Sequence, residues 1–165
     1  MNANEWLPND DNNMGLNDLQ IYQLAMTLGE QVWFVVNKWD YFAKDTVGKQ
    51  VVRSVDSVAA NISEGFGRYH YKENINFCYI ARGSLLETRT WLDKARRRSL
   101  VGDDQYNQFD KDINTLGVKL NNYLKTLGKK ASDSGYKAEE PGIFYENSQM
   151  SIDWDKVFQT HNDEK

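Results

Sequence analysis

An all-α fold, an antiparallel up-down four-helix bundle, is predicted by three features of this sequence. No proline stands between Pro8 and Pro141, a spacing that all-β domains, whose turns recruit proline, seldom reach. Four stretches carry apolar residues at spacings of three and four, which lines one face of a helix. The connections between these stretches are short, so consecutive helices must double back on each other.

The first helix is predicted from Asn17, a candidate N-cap, with Gln20 placed for a capping box. Its stripe is Ile21, Ala25, Leu28, Val32, Val35 and Trp39. The second covers roughly 46–64, with Val47, Val51, Val55, Val58 and Ile62 inward and Gly65 as a left-handed cap. The third, about 72–98, buries Cys78, Ala81, Leu85, Thr88, Leu92 and Ala95. The fourth, about 104–127, has the most regular stripe: Tyr106, Phe109, Ile113, Leu116, Leu120, Tyr123 and Leu127. Asp103 is placed to cap it and Gly128 to end it.

Residues 1–16 read as a flexible, acidic leader, 17–128 as the bundle, and 129–165 as a linker followed by an aromatic C-terminal tail. In that tail Ile143, Phe144, Tyr145, Ile152, Trp154, Val157 and Phe158 are apolar enough to need a surface. The formal charge of −4 over 165 residues is a composite. Residues 1–15 carry three acids and no base, residues 128–165 eight acids and five bases. Residues 16–127 hold 15 bases and 13 acids, so the bundle itself is slightly basic. A uniformly basic nucleic-acid coat protein is thereby excluded, a local basic patch is not. The start of the chain has no signal-peptide pattern, and the longest apolar run, Val32–Val36, is too short for a bilayer. A cytoplasmic protein without membrane contact is expected.

Few residues suggest chemistry. Cys78 is a lone cysteine on an inward face and reads as a small buried hydrophobe. His70 and His161 fall in no Glu-x-x-His pair, so neither a metal nor another cofactor is expected. Arg53, Asn61 and Glu64 share a polar lane on the second helix beside its core stripe, and Glu87 sits similarly on the third. A polar lane next to a core is cheap when it meets another polar lane. These four read as a hydrogen-bonded set fixing helix register or a subunit contact. The catalytic reading, paired carboxylates as acid and base, lacks a histidine or metal set beside it. Gly83 and Ser84 inside the third helix make sense where another helix crosses closely. Lys94, Arg96, Arg97 and Arg98 form the densest basic cluster. They complement the helix dipole as solvated cations, or they contact phosphates. The helical wheel spreads the three arginines around the helix.

Three stretches carry a family resemblance: Asn17–Gln23 (NDLQIYQ); Arg53 followed by Asn61–Arg68 (NISEGFGR); and Phe77–Glu87 (FCYIARGSLLE). Over about 17–127 the chain resembles the four-helix bundle family known from intervening sequences within bacterial large-subunit rRNA genes. It departs from that pattern at Phe42-Ala43, where the family tends to have Phe-Pro, at Val52 and at Thr88. The resemblance implies a ring-shaped homopentamer. It also implies kinship with the accessory protein that works beside reverse transcriptase in diversity-generating retroelements, a basic relative that binds nucleic acid. The expected function is a non-enzymatic homo-oligomeric bundle that binds RNA, DNA or a nucleic-acid enzyme such as a reverse transcriptase. The alternative is an oligomeric protein-interaction scaffold without nucleic acid.

Overall fold

The chain enters its first helix through a 3₁₀ turn, Leu16–Asp18, in which the Gly15 N–H donates to the Asp18 carboxylate at 2.9 Å. Residues 15–133 are those that the structure, a computed structural model, describes. Helix α1 is Gln20–Val36, and Leu19, without a side-chain cap, precedes it. Asn17 therefore lies two residues too early to cap α1. Its carbonyl instead accepts from Gln23 Nε2 at 2.6 Å. Ile21, Ala25, Leu28 and Val32 are buried as the stripe predicts, but Val36 replaces Val35 at the end. The helix stops there because Asp40 is extended and caps the next element, accepting from the Ala43 N–H at 2.9 Å. Trp39, in the turn, is still buried.

Helix α2 is entered through one α turn, Tyr41–Ala43, and a π turn, Lys44–Gly48, and then runs as Lys49–Phe66. Its start is thus several residues earlier than the pattern indicates. Gly65 is not a left-handed cap. It is helical and buried, and a Cβ there would lie 2.9 Å from both Asn74 Oδ1 and Phe77 Cβ. The glycine permits close approach of the next helix.

Helix α3 is Tyr71–Arg97, and all six stripe residues are buried. It ends in a Schellman motif: Leu100 N–H donates to Ala95 O and Ser99 N–H to Arg96 O, both at 2.9 Å. Ser99 takes the left-handed position, φ 57°, that glycine usually fills. Helix α4 is Asp103–Asp133, opened rather than capped by Asp103. It runs through Gly128, which faces open space and supplies no stop.

The helices alternate in direction, each beside its chain neighbours, with α1 closing against α4. Pairings read off this order directly. Between α3 and α4, Asn74 meets Tyr123, Arg82 meets Asn121, Arg89 meets Asn114 and Arg96 meets Asp103. Numbers rising on one side fall on the other, as antiparallel packing requires. Between α2 and α3, the Thr88 hydroxyl lies 3.1 Å from Ser54 Oγ and 2.8 Å from the Ser84 carbonyl. Ser54 donates in turn to Val51 O at 3.0 Å, so this buried polar pair is satisfied. Lys119 on α4 donates to Gln20 at the start of α1, at 3.1 Å.

Cys78 is fully buried, its S–H within 3.4 Å of Asn74 Oδ1. Burial pushes its thiol up to about 12, and burial is also the first cause raising Tyr106 and Tyr123. An acid that ionises less readily when folded contributes stability that is complete below its unfolded value, near 9 for the thiol. That contribution is lost as pH rises towards 12. The urea midpoint is therefore expected to be flat to about pH 8.5 and to fall above it, less steeply in Cys78→Ala. At pH 8 the native thiol should resist iodoacetamide until the chain unfolds.

Candidate functional site

The basic cluster stands at the end of α3, where cations meet the negative pole of the helix. Its members have different surroundings. Arg97 Nε donates to Asp93 at 2.7 Å. Arg96 donates to the same carboxylate at 3.1 Å, reaches Asp103 at 3.5 Å and lies over the Tyr106 ring at 4.7 Å. Burial by itself would raise the Asp93 carboxyl, but the hydrogen bonds from Arg97 and Arg96 hold it below its usual value. Lys94 sits over the Trp91 ring, 4.3 Å from its centroid. Arg98 is exposed, with no ion-pair partner among the described residues. Two of the four cations are thus committed to Asp93, and Arg96 alone of them also ties α3 to α4. Lys94 and Arg98 are the two open to a ligand.

The polar set behaves differently again. Asn61 donates to the Ser57 carbonyl at 2.7 Å, Glu64 pairs with Arg68, and Glu87 accepts from Trp91 Nε1 at 3.3 Å. Each is satisfied along its own helix, and Arg53 is exposed without a carboxylate partner among the described residues. Within one chain the four do not bond to one another. Their placement is nonetheless coherent. Ser54 and Thr88 face each other across antiparallel helices, so the residues just before them, Arg53 and Glu87, turn to one outer side of the pair. Ile80, 52% exposed, and Gly83 fall on the same side of α3. A Cβ added at Gly83 would meet nothing within 4 Å. Among the described residues no helix of this chain crosses closely there.

Sequence reasoning missed the polar ties between α3 and α4. Arg89 Nη2 lies 2.7 Å from Asp110 Oδ1, and Arg89 also reaches Asn114 at 3.4 Å. Asn74 links Tyr123, at 3.3 Å, to Cys78. Such pairings depend on the register between helices, which no spacing within one helix encodes. Among the described residues no group of His, Cys, Asp and Glu is arranged to hold a metal ion, and no helix is long and apolar enough to cross a membrane.

Residues 17–122, the first three helices and most of the fourth, match the family model of the 23S rRNA-intervening sequence protein. The chain belongs to this family. A crystal structure of an S23 ribosomal protein family member from Bacteroides thetaiotaomicron, described as a protein of unknown function, is similar to it. The TM-score is 0.58 at 22% identity, over 64% of this chain and 98% of the other. That likeness establishes the shared bundle. No curated protein matches the sequence. For this 23S rRNA-intervening sequence protein family member, the matched segment holds all four residues of the polar set and all four of the basic cluster.

Proposed function

We propose that this bundle is a non-enzymatic protein that self-associates through the outer face of α2 and α3 and presents cations to nucleic acid, or to an enzyme acting on it such as a reverse transcriptase. Gly83 is the observation that carries the reading. A glycine inside a helix costs about 1 kcal/mol relative to alanine. Among the described residues nothing lies within 4 Å of a Cβ added there, so the small residue is of use to a surface from outside the bundle. Arg53 and Glu87 on the same face supply opposite charges for an isologous or ring contact. Five subunits is the number the family resemblance supports. Lys94 and Arg98 lie towards one end of this face, and assembly would repeat them around an axis.

Light scattering of the wild type at micromolar concentration is expected to give a multiple of the chain mass, and Gly83→Leu a smaller particle with unchanged helical circular dichroism. A wild type at the mass of a single chain would end the assembly reading. Filter binding of RNA and DNA is expected to be detectable at low salt, weaker at moderate salt, and reduced about tenfold or more by Lys94→Glu with Arg98→Glu. The second reading, a scaffold for a protein partner, draws on the commitment of Arg96 and Arg97 to Asp93. Absence of binding to either nucleic acid at low salt would select it.

A further inference from the structure

The outer groove between the end of α1 and the start of α2 contains a cleft of about 490 Å³. Its walls are Trp33, Val36 and Val52, with Tyr41 at the mouth. Trp33 is 53% and Tyr41 83% exposed, an unusual amount of aromatic surface to leave in water. The π turn supplies Lys44 and Gly48 to the lining, and Arg53 closes the far side. Neither Lys44 nor Arg53 is ion-paired to a described residue, whereas Lys49 is held by Asp45. The cleft is therefore apolar within and positive at its rim.

We propose that the C-terminal segment of this same chain, Ile152–Phe158, is the occupant that docks in this groove. Residues 134–165 carry seven acids and three bases, so the segment is acidic where the rim is basic. Asp153 and Asp155 flank Trp154 and outnumber the one base of the segment, Lys156, which matches an apolar slot flanked by cations. Trp154, Val157 and Phe158 are spaced i, i+3, i+4, so one helical turn presents all three together.

The segment is long enough. Lys119 is level with Gln20, so Asp133 lies about 20 Å beyond the start of α1 at 1.5 Å per residue. Trp33 lies about 20 Å from that start in the opposite direction, which leaves about 40 Å to cover along the bundle. Residues 134–151, extended, span up to about 60 Å. Docking would bury aromatic surface on both sides and place Asp153 and Asp155 within reach of Lys44 and Arg53.

The test uses the full chain with p-benzoylphenylalanine in place of Phe158, irradiated at micromolar concentration and digested for mass spectrometry. A crosslink within one chain, to peptides containing Trp33, Tyr41 or Val52, is expected. Its yield should fall at least threefold in Lys44→Glu with Arg53→Glu, at unchanged circular dichroism. A covalent dimer, a crosslink elsewhere on the bundle or no crosslink would overturn the proposal. So would a yield indifferent to the two charge reversals. The leader, residues 1–14, or a second copy in the cleft would give one of those results. Arg53 serves both proposals, so Lys44→Glu alone, which leaves the outer face of α2 and α3 intact, is the variant that separates the crosslink from assembly and nucleic-acid binding.

Discussion

Gly65→Ala is expected to lower stability by about 1–3 kcal/mol, although the same exchange at an exposed helical glycine gains about 1. The new methyl would lie 2.9 Å from Phe77 Cβ and Asn74 Oδ1, and 3.1 Å from the Asn74 carbonyl. Two of these three atoms belong to the backbone or the root of a side chain, so relief requires α3 itself to move. Pushing Asn74 aside would also loosen its contacts with Tyr123 and Cys78. Urea unfolding of Gly65→Ala beside Gly128→Ala, where a Cβ would meet nothing within 4 Å, measures the contrast. A Gly65→Ala midpoint at or above that of the wild type would show that α2 and α3 are not in close contact there.

Arg89→Met is expected to cost about 2 kcal/mol, in the range of hydrogen bonds to charged groups. Arg89 and Asp110 are 17% and 25% exposed, so the carboxylate left behind is poorly hydrated. Methionine retains the length of the stem, which isolates the loss of charge from a loss of packing. Adding Asp110→Asn should recover most of the cost, because the stranded charge is then gone. A double-mutant cycle in urea measures the coupling, and additive effects would count against the ion pair.

The helical stripes were legible because burial repeats with the helical period. Val51, Val55, Val58 and Ile62, or Cys78 through Ala95, needed only counting. What spacing within one helix does not encode is how two helices meet. Gly65 shows this: a glycine at a helix end permits either a left-handed cap or a close neighbour, and the choice rests on where Phe77 falls. Arg89 and Asp110 are 21 residues apart in sequence, and their pairing follows from the length of the turn at Ser99. Gly128 had the residue type of a stop but not the left-handed turn that makes one. Of the basic cluster, the spread of arginines around α3 was visible beforehand, while the commitment of Arg96 and Arg97 depended on Asp93 lying within reach of both.

The π turn at Lys44–Gly48 also bears on how this chain compares with others. A π turn holds one residue more than the α turn it replaces, so it acts as a single-residue insertion absorbed inside a rod. Everything from Lys49 onward keeps its phase, while Tyr41 and Phe42 are rotated by about 100° relative to an uninterrupted helix. A relative one residue shorter in this stretch can share every core position downstream. The gap in its alignment then belongs within the helix and not in the loop before it.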